Sequence, residues 1–389
     1  MSTPTHAATL VDDLHERASA STGLTDFGSD DYLDALLILL EGYADQAALT
    51  DRGWAKVTGT LEQSLVSRLR TEAAWRTHPS YAATEVRRPI FVTGLPRSGT
   101  TALHRLLCAD PGHQGLQLWL AAAPQPRPEP AAWTTNPDFL QMQADIDRRN
   151  AAVPGLKGMH FMSAGIVEEC WWLERQSMRS LAFPSVAHLP AYTAWLAGQD
   201  LTGTYRRHRR ILQLIGMADP QQRWVLKNPG HLFSLDALMA VYPDALVVQT
   251  HRDPRSVVAS VSSLTSRAAN GNSSVFSGEV VGRSSLELWG AAADRFLAAR
   301  ASYDAAQFVD VHYDEFVADP VGTVAGVYDA FGLAFGEETR AAVAAADDVS
   351  RRGDRKSDHR YSLAEFGLTA TDVTERFDAY LAAHPELTV

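Results

Sequence analysis

Cysteine is nearly missing: the 389 residues hold two, Cys108 and Cys170, each inside an apolar stretch, Leu106-Leu107-Cys108 and Cys170-Trp171-Trp172. This excludes a disulfide framework and a cysteine-built zinc site, and it predicts reduced, buried thiols. No run reaches the ~18 consecutive apolar residues of a membrane span. Paired aspartates, Asp12-Asp13, interrupt the N-terminus before any run of signal-peptide length, so a cytoplasmic protein without a membrane span is expected. Positive charge is in deficit, with 35 Lys+Arg against 46 Asp+Glu and a net charge of −11. The chain as a whole therefore repels nucleic acid and anionic lipid, and any anionic ligand must be held by a local basic cluster. Internal repeats and coiled-coil heptads are also missing. What is present is an ordinary globular composition, 46% hydrophobic and 21% charged, enough for a full core and incompatible with disorder as the main state. The length implies one large domain with additions, or two domains.

From Ala8 to about Thr77 the apolar residues recur at three- and four-residue spacing, as in Leu61-Leu65-Leu69, which predicts helices; residues 1–80 read as an N-terminal helical extension. The texture changes at Arg88-Pro89, where the apolar run Ile90-Phe91-Val92 ends in the turn Thr93-Gly94-Leu95-Pro96. Three further β-rich runs follow at Trp224-Val225-Leu226, Ala245 to Gln249 and Phe308 to Val311, with helical stretches between them. The alternation predicts an α/β fold over 81–389, a P-loop-type parallel sheet flanked by helices. A helical insertion at about 112–222 separates the first two of these strands and is expected to build an acceptor pocket. Residues 267–282, rich in Ser, Gly and Asn, suggest a mobile loop, a lid or an ordinary surface loop. The run Arg206-Arg207-His208-Arg209-Arg210 reads mostly as a solvated helix face.

The segment Gly94-Leu95-Pro96-Arg97-Ser98-Gly99-Thr100-Thr101 follows a strand and precedes an apolar helix. In that context, backbone N–H groups and a helix N-terminus cradle phosphate. The glycines have the Walker spacing, but Thr100 stands where the lysine is expected, and the cation is Arg97, two residues earlier. Without a lysine to reach β/γ-phosphates, the loop suits a ligand that has no γ-phosphate to grip. After the strand at 245–249, Arg252 stands at the strand's C-terminal end and Ser260 lies eight residues on, two turns into the next helix. Strand C-termini face the ligand crevice of a doubly wound sheet, so two separate anion anchors are expected at one site. A third basic segment, Arg351 to Arg360, is a plausible anion clamp in an acidic chain.

These residues resemble those of the sulfotransferases that use 3′-phosphoadenosine 5′-phosphosulfate (PAPS), and the bacterial, actinobacterial-type branch most closely. The loop from Gly94 to Thr101 is similar to their 5′-phosphosulfate loop, and Arg252 to Ser260 to their 3′-phosphate motif. The resemblance implies that Arg97, Ser98, Gly99, Thr100 and Thr101 hold the 5′-phosphosulfate and that Arg252 and Ser260 hold the 3′-phosphate. Arg351-Arg352-Gly353 resembles the family's late Arg-Lys-Gly loop over the 3′-phosphate. Lys227, at the end of its strand, occupies the place of the family lysine that touches the bridging oxygen. PAPS as donor, 3′,5′-adenosine bisphosphate (PAP) as product and no metal are implied. Several relatives carry a Glu directly after a Trp downstream of the loop, but here Trp119 is followed by Leu120, which cannot take a proton. The base is then His231, four residues past Lys227, or the pair Glu168-Glu169 ahead of Cys170-Trp171-Trp172, since a carboxylate beside apolar aromatics has a raised pKa. A pocket drawn from His160, Phe161, Met162, Trp171, Trp172, Phe183 and Tyr192 would be aromatic and select a small, lipophilic hydroxyl acceptor. Two alternatives stand beside this reading: a P-loop ATP-dependent kinase, and a nucleotide-binding protein without catalysis.

Overall fold

A computed structural model describes residues 4–152, 162–352 and 361–388. Its centre is a five-stranded parallel sheet of β1 (Ile90–Gly94), β2 (His113–Gln114), β3 (Arg223–Lys227), β4 (Leu246–His251) and β5 (Phe308–His312), in the order β2-β3-β1-β4-β5. Strand β1 lies in the middle, where the chain reverses the direction in which strands are added. This is the switch point at which an open α/β sheet binds ligands beyond its strand C-termini. The four strands expected from sequence are present. The fifth, β2, is two residues inside the 112–222 region, too short to leave a periodic signal.

Side-chain alternation along β1 divides the interior. Phe91 belongs to the core under the helices Thr202–Ile215 and Gly278–Arg300, whereas Ile90 and Val92 pack with Leu103 and Leu107 of the helix Thr100–Leu107 on the opposite face. A further core joins the N-terminal helices α1 (Pro4–Thr22), α2 (Leu33–Asp45) and α3 (Asp51–Thr77) to Met178, Phe183, Leu189, Tyr192 and Leu196 of the insertion. The extension and this part of the insertion therefore bury one another's apolar faces.

Three expectations change. The stretch 267–282 is helical at both ends: one helix ends at Ala269 and the next begins at Gly278, with a loop over 270–277 between them. The loop between them is tied to the α2–α3 junction, since Thr50 N–H donates to Asn272 O (3.0 Å) and Ser273 Oγ donates to Ala47 O (2.7 Å). Its serine hydroxyls and the Asn272 carbonyl satisfy backbone groups of another segment, so it is a docked connection and not a free lid. The basic run at 206–210 is a solvated face only in part: Arg206 and Arg210 are exposed, whereas Arg207 and His208 are buried. Arg207 is buried and ion-paired with Glu72 at 2.7 Å, and Arg210 lies 3.8 Å over the Trp75 ring, so the run forms the seam with α3. Cys170 is buried as expected, but Cys108 is only partly so. Among the described residues, no helix is long and apolar enough to cross a membrane.

Candidate active site

The loop after β1 is shaped by two glycines in the left-handed half of backbone space, Gly94 (φ 139°) and Gly99 (φ 92°). A Cβ on Gly94 would stand 2.3 Å from Thr250 Oγ1, so only glycine lets β1 and β4 approach this closely at the crevice. Arg97 also has positive φ (68°), a strained setting for a long side chain and one that recurs at ligand sites. Helix α4 (Thr100–Leu107) starts directly after Gly99, and its first N–H groups have no intrahelical partners. Ser98 is buried and shares a 2.5 Å hydrogen bond with Thr250 Oγ1. Thr250 escaped the sequence reading, although it stands two residues before Arg252.

The two expected anchors meet. Arg97 Nε donates to Ser260 Oγ at 3.2 Å, and Arg252 Nη1 donates to the Arg97 carbonyl at 2.8 Å. The Arg252 guanidinium lies 4.0 Å over the ring of Tyr313, the first residue after β5. Tyr313 and Phe316 also cover Gly99, 3.3 Å from where its Cβ would be. The loop thus presents two arginines beside glycines at which extra side-chain atoms would collide, a setting that suits a phosphate-bearing ligand.

Lys227 ends β3 at the other side of the loop. Its Nζ donates to Thr101 Oγ1 at 3.0 Å and forms an ion pair with Glu169. The lysine side chain is 3% exposed and the glutamate 25%. Glu169 is placed by its own backbone: Cys170 N–H donates to Lys227 O (2.9 Å) and Glu168 N–H donates to Leu116 O (2.7 Å). Burial, and then the neighbouring Glu169 charge, push the Glu168 carboxyl above its ordinary pKa.

Other candidates lie elsewhere. His231 is fully buried, with Nδ1 2.6 Å from Tyr205 Oη and its ring edge-on to Phe91, and burial holds it neutral. It makes no hydrogen bond to Lys227, Glu169 or Thr101. A ring shut inside the core cannot receive a proton from an acceptor, so the general-base assignment of His231 is corrected here. Phe183 and Tyr192 belong to the N-terminal core and not to a pocket. Trp171 and Trp172 do flank Glu169's segment, half-buried and stacked at 4.6 Å. A second aromatic group, Trp119, Trp133 and Phe139, packs with centroids 6.0–6.3 Å apart beside the segment that leads to Glu168; the sequence reading missed it. Leu120 is fully buried, a core position and not a site position. Arg351 is exposed and paired with Asp347 along its own helix at 2.7 Å. The side chain of Arg352, with Gly353, His160 and Phe161, lies outside the described residues. Among those described, no cluster of His, Cys, Asp or Glu could hold a metal ion.

Fold and site together define an α/β protein whose β1–α4 loop, joined to Arg252 and Ser260, adjoins a lysine–carboxylate pair. The chain belongs to the sulfotransferase family, whose model matches residues 89–337. It is 25% identical over 255 residues to the omega-hydroxy-beta-dihydromenaquinone-9 sulfotransferase Stf3 of Mycobacterium bovis, and the match spans 63% of each chain. Among solved structures it is similar to sulfotransferase STF1 of Mycobacterium tuberculosis, with TM-score 0.89 and 49% identity over 95% of this chain and 98% of that one. It is also similar to STF9 of Mycobacterium avium, with TM-score 0.85 and 26% identity over 96% of both chains.

Proposed function

We propose that this protein moves a sulfuryl group from PAPS to the hydroxyl of a small, lipophilic acceptor. The observation that carries this reading is the joining of the phosphate loop to Arg252 and Ser260 at one end and to the Lys227–Glu169 pair at the other. Bound PAPS would supply an activated sulfuryl group on a phosphate leaving group. Arg252 and Ser260 would hold the 3′-phosphate, and the α4 N-terminus with Arg97, Ser98, Gly99, Thr100 and Thr101 would hold the 5′ end. Lys227, fixed by Thr101, would supply the positive charge that stabilises the leaving oxygen. Glu169, partly exposed beside it, is the group best placed to take the acceptor proton, with Glu168 as its neighbour. Arg351, Arg352 and Gly353 remain proposed contacts to the 3′-phosphate, which requires Arg351 to leave Asp347. The half-buried tryptophan pair, and a relative named for a hydroxylated menaquinone, favour a lipophilic acceptor.

The test is calorimetric titration with PAP in excess EDTA, beside ATP with Mg²⁺, followed by transfer from PAPS to a panel of lipophilic alcohols, phenols and sugars. Metal-independent PAP binding and preferential sulfation of the apolar hydroxyls are expected. Binding of ATP with Mg²⁺ alone would move the protein to the kinases. Preferential sulfation of sugars would overturn the acceptor class, and PAP binding without transfer to any acceptor would favour a non-catalytic protein.

A further inference from the structure

Residues 169–174 grip the end of β3 at three points. Glu169 pairs with the Lys227 side chain, and Cys170 N–H donates to Lys227 O. At the far end of the segment, Glu174 Oε1 accepts from Asn228 Nδ2 at 2.7 Å. Asn228 is itself clamped. Its N–H donates to Val92 O (3.2 Å), its carbonyl accepts from Thr93 Oγ1 (3.1 Å), and its Oδ1 accepts from Gly230 N–H (2.9 Å). The first two of these contacts put Asn228 in register with β1, the strand that leads into the phosphate loop. The Glu174–Asn228 bond therefore connects the carboxylate segment to the loop strand, and its loss would leave that segment held to the end of β3 at Lys227 alone, loosening the Lys227–Glu169 pair.

We propose that Glu174, acting through Asn228, is a positioning residue for the Lys227–Glu169 pair. Glu174 is 8% exposed, and a purely structural partner for an asparagine amide would more cheaply be a neutral group, because a buried carboxylate is costly to desolvate. Burial, opposed by the Asn228 hydrogen bond and aided by the Glu169 charge, raises its pKa to about 7. The residue thus changes charge where most enzymes operate. From its own segment Cys170 and Glu169 face it; from packed elements Tyr192, Tyr205 and His231 do, the last with Nδ1 4.0 Å from Oε1. Its other oxygen has only a long contact with Ser180 Oγ (3.5 Å). A cavity of about 20 Å³, bordered also by Arg179 and Arg295, adjoins it and has room for about one water to solvate the ionised form. As pH rises through 7, the carboxylate forms and holds Asn228 by a stronger, charge-assisted bond. The Lys227–Glu169 pair is then held most tightly above neutrality.

The inference rests on the sulfuryl-transfer reading for its meaning, but its test does not need an acceptor. The rate at which N-hydroxysuccinimidyl acetate acetylates Lys227 is followed by peptide mass spectrometry between pH 6 and pH 8, with Lys56 on α3 as internal reference. In the wild type the Lys227/Lys56 rate ratio is expected to fall as pH rises. Glu174→Ala should raise the ratio by roughly fivefold or more at pH 8, while Glu174→Gln, which keeps the acceptor for Asn228, should stay near the wild-type value at pH 6 and lose the pH trend. A ratio unchanged in Glu174→Ala, or a pH trend that persists in Glu174→Gln, would overturn the proposal. If the alanine variant unfolds, Lys56 accelerates too, and the glutamine series alone decides. PAP titration of the same wild-type sample reports on the transfer reading separately: absent PAP binding sinks that reading, whereas intact binding with indifferent Glu174 variants sinks only this one.

Discussion

Replacing Lys227 by methionine preserves the stem of a side chain that is 3% exposed and removes its charge. Glu169 then loses its partner but is one-quarter exposed, so water replaces part of the lost solvation. The stability cost should fall below the 3–5 kcal/mol seen when fully buried pairs are broken, at about 1–3 kcal/mol. Glu169→Gln strands the more deeply buried charge, but Thr101 Oγ1 and the new amide oxygen still accept from the ammonium, so its cost should fall in about the same range. Removing both charges together leaves neither stranded, so the double variant should be more stable than the sum of the singles by about 1–2 kcal/mol. Turnover behaves differently. Lys227→Met should lower the single-turnover transfer rate from PAPS to 2-naphthol by about 10²–10³-fold, the scale for losing one donor aimed at developing charge. The double variant should be no slower than the worse single by more than about threefold, because residues that act as a unit are not additive. Urea unfolding of the four proteins, with PAP calorimetry as a control for the donor site, completes the cycle. Additive stabilities, or a Lys227→Met protein that turns over within a few-fold of wild type, would refute the assignment of this pair to the reaction.

Gly94→Ala should give a poorly folded protein that does not bind PAP, since the new Cβ falls 2.5 Å from the Thr250 carbonyl at a φ of 139°; a soluble variant with the wild-type melting temperature would show that the crevice is looser than described. Arg252→Ala should weaken PAP binding by roughly 1.5–3 kcal/mol while leaving the affinity for adenosine 5′-phosphate, which lacks the 3′-phosphate, nearly unchanged; equal losses for both ligands in calorimetry would contradict its 3′-phosphate role. At the end of β4, the His251 ring lies against that of His384, tilted with centroids 4.1 Å apart, and burial lowers the pKa of both, that of His384 to about 4. Both are less basic folded than unfolded, so the unfolded state binds more protons as pH falls from about 6.5 towards 4, and stability should decline through that window. His384→Asn should flatten the decline measured by urea unfolding, and an unchanged slope would remove His384 from the account.

The sequence by itself determined the elements whose causes are local. An apolar run ending in glycine made β1 and its turn, and the helical pattern that follows made α4. Arg252 and Ser260, eight residues apart across a strand end and a helix, were legible as one anchor, and Lys227 as a strand-end cation. Steric limits on φ and ψ and the two side-chain periodicities act over a few residues, so they can be read without knowing what lies opposite. Which of these groups meet depends on the packing of distant segments. Thr250 closes on Ser98 across 152 residues, Glu169 reaches Lys227 across 58, and Glu174 holds Asn228 across 54. His231 was sorted into the core and Phe183 and Tyr192 into the N-terminal helices. A histidine or an aromatic has the same local signal in a core as in a pocket. What separates the two is which apolar faces bury each other, and that is settled by the packing of the whole chain.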